Sequence, residues 1–342
     1  MFRFLSTLFS GATPAPGAPD RSLVEAAIER LIDGTDPRLR GFLNYRSRLY
    51  DPVAGAVRHV LELIDGLPAP VEISRAAYAD DARLRAFFAS PAQMREILRD
   101  AQSLQDAVHT PGVAASGRVF ALLSMDMQER KMLGMELQGD QVRRDVLQDV
   151  VNFSNHRLVC ASDSAAETGR QLELRAFDFL VEQALKRVLS SKEVRVELEY
   201  QRLLLQRKLD AMQAGDWGLS SMLTGTDTRH RDREQLEQQI AVVEEELAAH
   251  SDRPADIEDR FAMINAVMSE PAEWLAVREV PLRVDAMLVK REGPEDDAIP
   301  PISLTEVYSA GGESRIILRG YIPRDEIPSP TDGLDAAQHL LG

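Results

Sequence analysis

The pair of side chains nearest to a reactive arrangement is His156 and Cys160, four residues apart. An imidazole beside a thiol can generate a thiolate nucleophile, and both groups are preferred zinc ligands. A nucleophile would also need a third group to orient the base, and zinc would need two further ligands. The stretch Asn152 to Ser162 has no helical period and reads as a loop or short strand, so the spacing does not place the two on one helical face. Asn152, Asn155 and Arg157 would suit a polar site; a structured turn around a buried cysteine is the simpler reading. Gly112 and Gly117 have the spacing of a phosphate loop, but Arg118-Val119 follows where Lys and Ser or Thr are required. The chain contains no Gly-x-Ser-x-Gly, His-Glu-x-x-His, Cys-x-x-Cys or dinucleotide fingerprint. No catalytic residue is assigned, and neither a cofactor nor a metal is expected.

Two groups of residues suit recognition better than reaction. Arg38, Arg40, Arg46 and Arg48 interleave with Phe42, Tyr45 and Tyr50, the densest basic-aromatic patch in the chain. It would receive an anion or an acidic partner, unless the arginines pair with the chain's own surplus carboxylates. Trp217, Leu219, Met222 and Leu223 lie in the Gly- and Ser-rich stretch 213–228 between two helical patterns. There they would either fold back onto the helices or anchor the chain in a partner's pocket.

Composition limits what these groups could serve. With 55 acidic against 40 basic residues the formal charge is −15, which argues against a nucleic-acid binder. The single cysteine excludes an internal disulfide and fits a reducing, cytoplasmic setting. Residues Met1 to Phe9 form a poor secretory signal; Phe2, Leu5, Leu8 and Phe9 would share one helical face, and a weak interfacial anchor is conceivable there.

The elements that must position these residues read as mainly α. A flexible N-terminus (1–21) precedes a helical domain (22–162). Capping signals punctuate it: Ser22-x-x-Glu25, Asp36-Pro37, Asp51-Pro52 and Ser90-Pro91 with Gln93. Val53, Val57, Val60 and Ile64 form an apolar helical stripe. A further helical stretch is predicted from about Gly117 to Val151, with Leu122, Met125, Met132 and Met135 near one face; buried filler is the commoner meaning of such methionines. Residues 163–269, opening on the capping box Ser164-x-x-Glu167, are expected to form a long antiparallel coiled-coil hairpin with its tip at 213–228. Its first arm, Glu167 to Met212, is about 69 Å long at 1.5 Å per residue. The second arm is interrupted near Pro254 but keeps its four-three phase through Leu236, Ile240, Val243, Leu247, His250, Pro254, Ile257, Phe261, Ile264 and Met268. Beyond Glu270 the period changes to two, predicting a small antiparallel β unit (270–327) with strands near Leu282–Val289, Ile302–Tyr308 and Arg315–Ile322, and then a flexible tail (328–342).

The function these features suggest is a non-enzymatic scaffold or adaptor that self-associates or bridges protein partners through the helical hairpin, with an exposed strand edge as a second docking site. Two alternatives compete. One is a peripheral membrane protein using residues 1–19 and the hairpin tip. The other is an enzyme or ligand-binding protein with a site near Arg46, Arg48 and His156.

Overall fold

In the computed structural model the described residues are 19–138, 141–213, 226–249, 254–291 and 299–328. The chain divides into two compact units, Met1–Ala56 with Asp178–Glu270, and Val57–Phe177 with Pro271–Gly342.

The first unit is helical. Helix α1 (Arg21–Gly34) is capped by Asp20, not by the expected Ser22: the Asp20 carboxylate accepts from the Ser22 backbone N–H and hydroxyl. Leu23, Val24, Ala27, Ile28, Leu31 and Ile32 recur at three and four residues, so a single face is buried. Asp36 caps a 3-10 turn over Pro37–Gly41. Helix α2 (Tyr45–Asp65) starts well before the expected Asp51-Pro52 signal and carries Pro52 internally. Helix α8 (Ala165–Gln213), which belongs to this unit from Asp178 onward, runs 49 residues, about 74 Å at 1.5 Å per residue. Its N-terminus uses the predicted Ser164 cap, whose hydroxyl accepts from the Glu167 backbone N–H. Helix α9 (Thr226–Ala249) and helix α10 (Pro254–Ser269) follow, with Pro254 at the first position of α10, where its missing N–H costs nothing. Of their residues in this unit, Ile240, Val243, Phe261, Ile264 and Met268 are buried.

The second unit is built on a sheet. Strand β1 (Val71–Glu72) is followed by short helices α3 (Arg75–Asp80), α4 (Ala82–Phe87), α5 (Pro91–Asp100), α6 (Gln102–Val108) and α7 (Pro111–Ser116). Gly117 ends α7 at φ 68, the left-handed region that a glycine enters without penalty. Strands β2 (Arg118–Gln138) and β3 (Gln141–Ser162) then form a long antiparallel hairpin. After α8, α9, α10 and the single turn α11 (Pro271–Trp274) come β4 (Leu275–Leu282), β5 (Ile302–Ser309) and β6 (Ser314–Pro323). Among the described residues the sheet has six strands in the order β3-β2-β6-β5-β4, with β1 parallel to β6.

Alternate residues of the central strands serve opposite layers. Val119, Ala121, Leu123 and Met125 of β2 and Ile316, Leu318 and Ile322 of β6 join Phe87, Phe88, Met94 and Leu104 in one core. Leu122 and Ile317 point the other way, toward Ile64, Leu67, Cys160 and Leu172.

This architecture corrects the fold class expected from the sequence. The stretch Gly117 to Val151 is not helical but forms β2 and half of β3, and Asn152 to Ser162 completes β3. The C-terminal strands are not a separate small unit: β6 pairs with β2 from Arg118 to Met125, so both regions share one sheet. Helices do form across 163–269, but the dominant long-range pairing in the chain is the β2–β3 ladder and not a coiled-coil hairpin. The strand expected at Leu282–Val289 lies earlier, at Leu275–Leu282. Asp285 then folds the chain into a tight loop by accepting from the backbone N–H groups of Met287 and Val289 at 2.8 and 3.1 Å.

The sheet assignment makes a prediction on one strand. Leu123, fully buried between the helices and the sheet, should cost about 3 kcal/mol when cut to alanine. Leu133, further along β2 and 67% exposed, should change stability by less than about 0.5 kcal/mol. Urea denaturation of Leu123→Ala and Leu133→Ala measures both.

Candidate functional site

The part of the sheet that outruns its neighbours is the far end of the β2–β3 hairpin. On β2, pairing with β6 stops at Met125. On β3, the last outside contact is made by Asp149, whose carbonyl accepts from the Lys290 N–H at 2.7 Å, beside a bridge between Val150 and Val289. From there toward the turn, among the described residues, the two strands pair only with each other, a two-stranded ribbon of about seven residues a side, or ~23 Å at 3.3 Å per residue. An isolated pair of strands is marginal in water unless something covers a face.

One face of the ribbon carries an apolar cluster, beside Arg144, the cross-strand partner of Met135. Leu133 and Leu147 are cross-strand partners, and Met135 lies two residues on along the same side of β2. They are 67%, 66% and 67% exposed. Lys131 and Asp149, also partners on this side, form an ion pair of 3.7 Å at its inner end. Met132 is exposed on the opposite side. The sequence reading of these methionines as buried filler is therefore corrected for Met132 and Met135; only Leu122 and Met125 of that set are core residues. The side chains facing solvent here include Arg130, Lys131, Arg143 and Arg144 against Glu129, Asp145 and Asp149, close to neutral in a chain of −15.

His156 and Cys160 are both on β3 but serve different layers. His156 Nε2 donates to the Phe87 carbonyl at 2.8 Å, and its ring stacks on Phe88 at a centroid distance of 5.3 Å. Burial lowers its pKa. Cys160 lies in the opposite core with Leu172 and Ile64, and burial pushes its thiol up. The two cannot act as a dyad. Beside His156, Asn155 donates to Asp126 at 2.6 Å, and Arg315 reaches both Asp126 at 3.2 Å and the Asn155 carbonyl at 2.8 Å. Among the described residues no group of three or more His, Cys, Asp or Glu could hold a metal ion.

The arginine-rich segment lies in the first unit, whereas His156 belongs to the second. Arg40 bonds Glu29 at 3.0 Å and Asp33 at 2.6 Å. Arg46 and the Tyr45 hydroxyl also bond Glu29, each at 2.8 Å. Arg48 pairs with Glu258 and lies 4.5 Å from the Phe261 ring centre. Arg38 and Arg260 both bond the buried Asp36. An incoming anion would meet guanidinium groups already engaged by carboxylates. Trp217, Leu219, Met222 and Leu223 lie outside the described residues, as does the N-terminal apolar segment. No helix among the described residues is long and apolar enough to cross a membrane.

Comparison with known protein families, with curated proteins and with solved structures finds no match.

The Asp36 cluster gives a pH prediction. Burial alone would raise this carboxyl, but the bonds from Arg38 and Arg260 outweigh it and bring its pKa from 3.8 down to about 2. A depressed folded-state pKa stabilises the fold above pH 4 and is lost as pH falls toward 2. The contribution is on the order of 2 kcal/mol. Denaturation free energy measured from pH 5 to pH 2 should fall by that amount, and Asp36→Asn should remove this part of the slope.

Proposed function

We propose that this chain is a non-enzymatic scaffold that self-associates through the apolar face of its β-ribbon. The observation that supports this most is the trio Leu133, Met135 and Leu147, three large apolar side chains standing together on a strand pair that has no third strand among the described residues. A contiguous exposed apolar patch is a feature of interaction surfaces, because single scattered residues suffice to account for ordinary surface chemistry. A second copy is the occupant favoured by charge. Two chains of −15 repel one another, and a near-neutral ribbon is a place where they can approach at low electrostatic cost. A two-fold pairing also lets the same patch cover itself, the commonest form of symmetric assembly.

The first unit supports the bridging part of this reading. Tyr200, Leu203 and Leu204 are exposed on α8 at three- and four-residue spacing, a second apolar row separate from the ribbon. A scaffold with one such row in each unit can hold itself together with one and meet a partner with the other. The single, buried Cys160 supports a cytoplasmic setting for such an assembly. The reading assigns no reaction.

Light scattering coupled to gel filtration tests it. The wild-type chain should elute with at least twice the 38.0 kDa of one copy. Leu133→Ser combined with Leu147→Ser should return it to a single copy with unchanged circular dichroism, since both side chains are exposed. A wild-type protein that stays at one chain's mass across the concentration range would end the self-association reading.

A further inference from the structure

A second place where strands part company is inside the sheet. Strand β5 pairs with β4 over its whole length, Ile302 to Ser309, but with β6 only from Thr305 to Tyr308. The same edge of β6 is taken up again by β1 at Gly320 and Tyr321. Leu318 and Arg319 are left between the two partners. A cavity of about 170 Å³ opens at this position.

Its walls come from both layers of the unit. Leu318 and Phe87 belong to one core and Ile317 and Leu67 to the other, and all four line the cavity, a slot at the place where β5 peels away from β6. Gly320, at the β1 side, leaves room for Ile73, and this close approach brings β1 to the edge that β5 has vacated. At 170 Å³ the slot is below the ~300 Å³ at which pockets for drug-sized molecules begin, so it suits a small metabolite.

The polar groups at the slot are of two kinds. Arg319 is half-buried and makes no ion pair among the described residues, in a chain where acids outnumber bases. Arg83 lines the slot too, and is fixed in place by Asp81 through bonds of 3.1 and 2.7 Å, which leaves its third nitrogen available. Thr305 lines the slot as well, and guanidinium and hydroxyl groups are the donors a carboxylate requires. Glu279, which accepts from the Ser303 hydroxyl at 3.3 Å, is the opposite charge on the same lining. It disfavours a dianion such as phosphate and suits an ammonium group. Leu67, Phe87 and Leu318 offer contact to an apolar body.

We propose that the slot between β5 and β1 binds a small zwitterion with an apolar side chain, of the free α-amino acid class. Arg319 and Arg83 receive the carboxylate, and Glu279 receives the ammonium. The site is independent of the ribbon, so the Leu133→Ser, Leu147→Ser protein should keep it.

Titration calorimetry with L-leucine as the probe tests the proposal, supported by leucinamide, 4-methylpentanoic acid and inorganic phosphate. Leucine should bind saturably with a dissociation constant on the order of 1 mM. Leucinamide, which lacks the carboxylate, should bind at least about tenfold more weakly, a difference of about 1.4 kcal/mol. Arg319→Gln should weaken leucine by a similar factor. Glu279→Gln, at an exposed position, should weaken leucine and leave 4-methylpentanoic acid unchanged or improved. Absence of saturable leucine binding, equal binding of leucinamide, a response to phosphate alone, or indifference to both substitutions would each overturn it.

Discussion

The second unit depends on one segment having a strand on each side. Residues Arg118 to Met125 of β2 pair with β6 along one edge, and from Phe120 onward β2 pairs with β3 along the other. Both edges are therefore hydrogen-bonded, and both faces are covered, by the short helices on one side and by the layer around Leu122, Ile317 and Leu172 on the other. This double burial explains the unbroken apolar run Val119-Phe-Ala-Leu-Leu123: a strand with two covered faces does not alternate. It also joins parts of the chain that are remote in sequence. The N-terminal hairpin and the C-terminal strands make one sheet only because β6 pairs with β2.

The same run explains why the sheet was hidden in the sequence. A period of two is legible only where one face meets water, and β2 shows none over its buried third. Strand β3 hides its alternation differently. Its register against β2 shifts at three places, between Phe120 and Leu122, between Ser124 and Asp126, and between Gly134 and Met135, and each shift inserts one residue on the β3 side. Cys160, Asn155 and Asp145, at positive φ, lie at these bulges. Every extra residue exchanges the inward and outward positions beyond it. No continuous alternation survives in the letters. Meanwhile Leu122, Met125, Met132 and Met135, at spacings of three and seven, imitate a helix although half of them are exposed.

Local signals were legible where local chemistry decides. The Ser90 and Ser164 caps, the long helix of residues 165–213, the restart at Pro254 and the turn between β5 and β6 could all be read from a few neighbouring residues, because a cap, a missing N–H or a tight turn is set within four or five positions. Asp20 replaced Ser22 as a cap for a reason of the same kind: a carboxylate two residues upstream captured both the Ser22 N–H and its hydroxyl. What could not be read was pairing at a distance. The ribbon's apolar face depends on Leu133 meeting Leu147, and the slot depends on β4, β5, β6, β1 and α4 arriving together.

Ribbon and slot have a common origin in strand length. In a sheet whose strands all matched, every edge position would be paired or sit at the rim. Here β2 and β3 continue past the ends of their neighbours, and β5 follows β4 past the point where it leaves β6. The first mismatch carries backbone and apolar side chains out into solvent; the second opens a gap within the layer. Neither is the cheapest solution for stability, since an unsupported ribbon lacks cover and a slot forfeits packing contacts. The arginine-rich segment of the first unit is the contrast: its guanidinium groups already pair with Glu29, Asp33, Asp36 and Glu258. Recognition in this chain is thus better sought where pairing stops short, at Leu133, Met135 and Leu147 and at Arg319, than where residue types alone are most conspicuous.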